Sequence, residues 1–427
     1  MELQIETQKN TDAETQTAEN LSLSTEKPKK NYLGYITIFI SQYFSLIGSQ
    51  IVSFAVIWYL TITTESSLIL SLATFANLVP MIIISPIAGV IADKFSKNFI
   101  LIFTDALQAV ATLGLIILFY LGIFQIWQII LLMGVRGICQ GFQMPVSVAV
   151  TSLMVPDEKI KKINAIQQIL SSLLMISTPA IGAYLVNIFP IEQIYWLDVF
   201  SFIPTAIVLL VIKIPKVSGD EQSQKMSFKK DFSEGMKYIK DSGLMPVFFY
   251  FAIANFIVVP IFSLLPLLIV DHHLGTATEY GITEIMFHVG LLLGSFILIA
   301  SKKKSTMKSV VTFGVLLSVS VLLMAIVPKG VFWLFYITCG ILGVVLAFID
   351  TQLISVLQVN IPKELQGRVF STMFTLIKSI NPVGLVIWGI LGQYISIYLI
   401  FILSPVISLV IYFILLKSTE ITHYGEK

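Results

Sequence analysis

The chain has 427 residues, of which 56% are apolar and 12% charged, and its net charge is +2. The mean hydropathy is +0.88. A soluble domain carries about twice that charged fraction, so a water-soluble globule is excluded, and nothing in the chain forms the basic domain that nucleic acid requires. Length and apolarity together leave room for about twelve membrane spans of ~20 residues with short loops.

Residues 1–30 are rich in Thr, Gln, Glu and Lys and are read as a disordered tail. No basic stretch followed by a short apolar core opens the chain, so no cleaved signal peptide is expected, and the first span serves as the targeting signal. Apolar stretches follow at 33–61, 68–92, 98–121, 124–150, 163–189, 193–214, 244–271, 280–300, 307–327, 330–356, 366–395 and 396–416. Each is predicted to be a helix, because hydrocarbon leaves no partner for unpaired backbone.

Between the second and third stretches lies a charged turn, Gly89-Val90-Ile91-Ala92-Asp93-Lys94-Phe95-Ser96-Lys97. Of the 27 Lys and Arg, all but Arg136, Lys329 and Lys378 fall in the two tails or in loops on one side of an alternating path. The positive-inside rule puts that side, and both termini, in the cytoplasm.

Residues 215–243 form a linker between an N-terminal lobe, 31–214, and a C-terminal lobe, 244–416; a short cytoplasmic tail, 417–427, ends the chain. Within the linker Phe228, Phe232, Met236 and Ile239 recur at helical spacing among lysines, which predicts an amphipathic helix on the inner membrane surface. The two lobes share landmarks. Val155-Pro156-Asp157-Glu158 and Ile361-Pro362-Lys363-Glu364 stand 206 residues apart, preceded by Phe142 and Phe348 and followed by Pro179 and Pro382. An internal repeat of this kind predicts two six-helix lobes related by a pseudo-two-fold axis along the membrane normal.

Charged groups within spans are costly and mark candidate sites. Arg136 is the one arginine deep within a span; the carboxylates are Asp105, Asp198, Glu284 and Asp350. A proton carrier needs a carboxylate whose surroundings change between two access states. The expected order is Asp105, Glu284, Asp198, Asp350, with Asp105 first because its span and that of Arg136 belong to one lobe. Lys378 is read as an anion contact, a partner for Asp350 or a snorkelling side chain. His272 and His273 are expected in an exposed outer loop, and His288, four residues after Glu284, is a candidate relay partner. Tyr43, Phe54, Trp58, Phe256 and Trp388 are candidates to line an aromatic substrate cavity. Cys139 and Cys339 are read as small packing residues.

Phosphate-loop, metal-ligand and nucleophile-elbow patterns are missing, so neither an ATP-driven machine, a metal site nor an enzyme is expected. Over about 33–416 the chain resembles the major facilitator superfamily, and within it the drug:proton antiporter branch with macrolide efflux proteins and siderophore exporters. The resemblance rests on Ala92-Asp93-Lys94, Arg136, Val155-Pro156-Asp157-Glu158, Leu197-Asp198, Ile282-Thr283-Glu284-Ile285 and Gly367-Arg368-Val369-Phe370. Lys97 is followed by Asn98 where the family has a second basic residue, and the fifth span keeps only Pro179 and Gly182 of the antiporter signature.

The resemblance implies an all-α twelve-helix fold and a monomer in a bacterial cytoplasmic membrane. It implies export of small amphipathic compounds by alternating access, with the proton gradient as energy source and no cofactor. It further implies that Gly89, Asp93, Lys94 and Lys97 form a conformational latch, and that Asp105, Arg136, Asp198 and Glu284 serve proton coupling. Export of a metabolite such as a siderophore, or ligand sensing without transport, are the alternatives.

Overall fold

A computed structural model describes residues 31–215, 228–301 and 304–417. The expected tails 1–30 and 418–427 and most of the linker lie outside the described residues. Those described are helical, without a strand. The N-terminal helices are α1 (Tyr32–Thr64), α2 (Ser67–Lys94), α3 (Lys97–Tyr120), α4 (Ile126–Met154), α5 (Asp157–Ile188), the single turn α6 (Ile191–Ile194) and α7 (Trp196–Val211). After the linker helix α8 (Phe228–Asp241) come α9 (Met245–Leu267), extended by a π-helical turn at Leu268–His272, and α10 (Ala277–Ala300). The chain ends with α11 (Met307–Ala325), α12 (Phe332–Asn360), α13 (Lys363–Leu391) and α14 (Ile397–Leu416). With α6 and α7 taken as one, twelve helices are long and apolar enough to cross a membrane. Large apolar side chains such as Phe103, Leu131, Leu210, Phe296 and Phe413 point outward, where only lipid would cover them.

Local chemistry explains the boundaries. Ser66, Ser96, Thr306 and Ser396 each cap a helix by accepting a backbone N–H from its first turn, and Thr276 with Glu279 forms a capping box at the start of α10. Pro156 and Pro362, the paired landmarks of the repeat, both stand at N-caps in nearly the same conformation, φ −56°, ψ 142° and φ −53°, ψ 137°. Helices α5 and α13 therefore begin at Asp157 and Lys363, earlier than their apolar stretches, because the acidic residues behind each proline suit a helix N-terminus. The turn between α13 and α14, which no charge marks, spans Gly392 to Ser396.

Glycines bring helices into contact. A Cβ on Gly137 would overlap the carbonyl oxygen of Asn77, and one on Gly141 would stand 3.0 Å from Ile84, so α4 lies directly on α2. In the other lobe Gly290 lies against the Gly340 carbonyl, and Gly294 against Val344, joining α10 to α12. Each pair is a Gly-x-x-x-Gly, the spacing that lets membrane helices approach closely.

The lobes meet along α2 with α13 and α5 with α10. The contacts lie at one end of the bundle, where α2 and α10 begin and α5 and α13 finish. Ser67 Oγ donates to the Gly389 carbonyl at 2.9 Å, and Asn187 Nδ2 to Thr278 Oγ1 at 3.0 Å. This is the end opposite the basic loops. Near the basic end α8 does not simply ride the membrane surface as expected: its Ile239 is fully buried, Gly235 sits on Thr372 and the Arg368 carbonyl, and Arg368 pairs with Glu234 at 2.5 Å, docking α8 on α13.

Candidate substrate cavity and the buried Arg136–Asp198 network

A cavity of about 840 Å³ belongs to the N-terminal lobe. It runs from the middle of the bundle, at Ser49, Gln50 and Asp198, to the basic end, at Thr151, Ser152 and Asn164. Its lining is amide- and hydroxyl-rich, with seven glutamines among the contributing residues. Its volume falls within the range of about 300–1,000 Å³ typical of small-molecule sites.

At its inner limit sits a buried polar network. Arg136 from α4 is 1% exposed and its Nη1 donates to Asp198 Oδ2 of α7 at 2.8 Å. Its Nη2 donates to the Ser49 carbonyl at 2.7 Å and to Ser53 Oγ at 3.3 Å. Asp198 also accepts from Ser49 Oγ at 2.5 Å and from Thr112 Oγ1 at 2.7 Å. Both carboxylate oxygens are thereby occupied, and four helices, α1, α3, α4 and α7, are tied at one level. A charge pair in so dry a place needs its remaining hydrogen-bonding groups matched; both carboxylate oxygens and both terminal guanidinium nitrogens are, while the buried Arg136 Nε has no partner among the described residues.

Asp105 does not make the expected contact with Arg136, which pairs with Asp198 instead. Asp105 lines the cavity and accepts a 2.5 Å hydrogen bond from Gln143 Nε2 of α4. Glu284 lies in α10 and has no hydrogen-bond or ion-pair partner for its carboxylate among the described residues. The His288 ring bonds the Glu284 backbone carbonyl at 2.8 Å, not its carboxylate, so the expected relay pair is not formed. Asp350 and Lys378 are both exposed and make no ion pair with each other.

The aromatic cavity is also corrected. Only Tyr43 of the five candidates lines the cavity; its hydroxyl donates to the Gln167 carbonyl at 3.1 Å. Phe54 and Trp58 instead stack on Tyr280 of α10, with centroids 5.0 and 6.1 Å away, inside the contact between lobes. Phe256 and Trp388 pack on each other at 5.9 Å, with Trp388 Nε1 donating to the Phe256 carbonyl, within the C-terminal lobe.

Of the latch candidates, Gly89 has open space where a Cβ would stand. Lys97 is buried and donates from Nζ to the Ala92 carbonyl at 2.9 Å, closing an otherwise unpaired carbonyl at the end of α2. Asp93 and Lys94 occupy the last turn of α2, and their side chains lie outside the described residues. Asn98 fastens α7: its Nδ2 donates to the Leu209 and Ile212 carbonyls and its Oδ1 accepts from the Ile214 amide, each at 2.7 Å.

His272 stacks on Tyr398, and His273, expected in an exposed loop, is buried against Phe335. Apolar packing of the π-helical turn has drawn it inward. No grouping of three or more His, Cys, Asp or Glu that would hold a metal occurs among the described residues.

The network partners Ser49, Ser53 and Thr112 and the glutamine lining were not singled out from sequence. Gln42, Ser45, Ser49 and Ser53 in α1, and Gln140, Gln143, Ser147 and Thr151 in α4, recur every three or four residues inside apolar helices. That polar stripe is the signal that marks a cavity face.

The sequence pattern of the Major Facilitator Superfamily matches residues 38–382. Macrolide efflux protein A of Streptococcus pyogenes is 30% identical over 89% of this chain and 94% of its own length. The protein of the same name from Enterococcus faecalis is 28% identical over 75% of this chain and 99% of its own. Among solved structures, a point mutant of the nucleoside transporter NupG superposes with a TM-score of 0.70 at 11% identity, covering 90% of this chain and 100% of that one. A bacterial homologue of the iron transporter ferroportin in its inward-facing state gives 0.67 at 14%, covering 90% and 99%. At these identities the structural likenesses are of fold alone.

Proposed function

The chain belongs to the major facilitator superfamily, and from that premise we propose that it is a proton-coupled exporter of small amphipathic compounds, macrolide-like ones among them, and not an enzyme. The observation that carries the reading is the cavity of about 840 Å³, lined by amides and hydroxyls among apolar side chains, which reaches the basic end while the lobes meet at the opposite end. The positive-inside rule places the basic end in the cytoplasm of a bacterial cell. The structure is then the cytoplasm-open, loading state of an alternating-access cycle. Similarity over nearly the whole length of two proteins named for macrolide efflux, and over 89% and 75% of this chain, supports the direction and the substrate class.

Within this reading Arg136 and Asp198 hold the N-terminal lobe together. Glu284, half-buried and without a partner in the opposite lobe, takes and releases the proton. A latch formed by Gly89, Asp93, Lys94 and Lys97 steadies the opposite state, as the resemblance implies. Export of an endogenous metabolite such as a siderophore is the second reading, favoured by the amide-rich lining.

Cells expressing the chain are expected to accumulate less labelled macrolide than empty cells. A protonophore should abolish the difference, and Glu284→Gln at equal membrane expression should remove it. No difference across several macrolides and dyes, with the protein in the membrane, would sink drug export and leave the metabolite reading or a non-transporting sensor.

A further inference from the structure

The cavity has an unbalanced charge. Two carboxylates line it, Asp105 and Asp198, and no lysine, arginine or histidine does. Asp198 is matched by Arg136 at 2.8 Å and by two hydroxyls, so its charge is answered locally. Among the described residues Asp105 has no cation beside it. One of its oxygens accepts from Gln143 Nε2, which orients the carboxylate, and the other has no partner among the described residues.

The amides around it are equally unspent. Of the seven lining glutamines, Gln143 serves Asp105, and Gln167 donates to the Tyr35 hydroxyl at 3.0 Å. Gln42, Gln50, Gln108, Gln140 and Gln168 bond no described residue through their side chains, though all five line the cavity. A primary amide is both donor and acceptor, so it can read a hydroxyl, an ether or a carbonyl oxygen alike. An anion entering here would meet an unanswered carboxylate and no positive group. A wholly apolar guest would strip water from five amides and return nothing to them.

We infer that the cavity seats an oxygen-rich organic cation, with its protonated amine on Asp105 and its oxygens on the surrounding glutamine amides. The inference rests on the export reading and names the chemical class that the same cavity selects. Asp105 is then a substrate counter-ion and Glu284 the proton carrier, a division of labour between the lobes. A charge-assisted hydrogen bond in a low-dielectric site is worth a discrimination of roughly ten- to a hundredfold against a ligand that lacks the charge.

The test is binding to the purified full-length protein in nanodiscs at neutral pH, without a gradient. The probes are erythromycin, which has one basic amine, and its counterpart in which that nitrogen is an N-acetyl amide and uncharged. Wild type is expected to bind the amine about tenfold or more tighter than the amide. Asp105→Asn should bring the two within about twofold of each other, chiefly by weakening the amine, and Asp105→Glu should keep the preference. The inference is overturned if wild type binds both probes equally, or if Asp105→Asn retains the preference or weakens both alike. The wild-type comparison stands whether or not the variant folds. Binding of neither probe by wild type would remove the macrolide-export reading itself, whereas equal binding of both removes only the role given to Asp105.

Discussion

Arg136 shows why one side chain can fix the middle of a membrane bundle. Its guanidinium meets Asp198 Oδ2, the Ser49 carbonyl and Ser53 Oγ at once, from a site 1% exposed. Removing one member of such a pair leaves the other charge buried and unmatched, at a cost of about 3–5 kcal/mol. Arg136→Ala and Asp198→Ala are therefore expected to lower the thermal midpoint of the purified protein by similar, large amounts, and the double variant by clearly less than their sum. Additive losses would mean the two groups stabilise the lobe separately. Arg136→Lys should behave almost like the alanine variant, because one ammonium cannot present the planar fork that reaches three acceptors in different directions. Asn98 makes a contrasting case near the membrane surface. It satisfies three backbone groups around the end of α7, and Asn98→Ala should cost about 1–3 kcal/mol in the same assay. Asn98→Lys, which restores the second basic residue of the family loop, should not recover it, since an ammonium has no acceptor for the Ile214 amide.

Helix contacts in this chain depend on missing side chains more than on large ones. Lipid is as apolar as leucine, so helices associate through close packing, and Gly137 and Gly290 supply it by lying against carbonyls of Asn77 and Gly340. Gly137→Val and Gly290→Val are expected to cut the yield of monodisperse protein severely, the branched side chain having no room at either crossing. Gly114 is the internal control: nothing lies within 4 Å of its added Cβ, so Gly114→Ala should be neutral or slightly stabilising by helix propensity alone. If all three variants behaved alike, crossing distance would not be what the glycines provide. The number of these helices was legible in the sequence because long apolar runs report on lipid, which acts on composition alone. The starts of α5 and α13 were not, since Pro156 and Pro362 set them through backbone geometry inside polar segments. Site residues divide in the same way. Arg136, Asp198 and Asp105 stood out as charges in apolar runs, but which carboxylate meets Arg136 depends on how α7 packs beside α4. Phe54 and Trp58 stack between the lobes and not in the cavity, and aromatic type alone does not say which face of α1 turns toward α10.

The two lobes are held at the end far from the basic loops by small and flat contacts. Tyr280 lies against Phe54 and Trp58 with interplanar angles of 18° and 17°, Gly281 against Ala183 and Pro179, and Gly389 against Ser71. Flat rings and glycines slide or separate without breaking ion pairs, and among the described residues the seal adds only two hydrogen bonds, Ser67 to the Gly389 carbonyl and the exposed Asn187 to Thr278. A seal of this composition suits two states separated by a few kcal/mol, which is what a carrier needs if a ligand's binding energy is to reverse it. Glu284 sits one turn beyond Tyr280 on the same helix, so parting of the seal would bring water to its carboxylate, and the proposed proton step would be coupled to the motion by position. Gly281→Leu tests the seal directly. A Cβ there already stands 2.6 Å from the Ala183 Cβ and 2.9 Å from the Pro179 carbonyl oxygen, so the longer side chain must part α5 from α10. Spin labels at Ile188 and Leu274 are expected to show a longer distance distribution in Gly281→Leu than in the parent. Substrate binding to the cavity should weaken in parallel if, as proposed, this arrangement of the lobes is the loading state. A folded variant with an unchanged distance would show that these contacts follow the closure of the lobes without setting it.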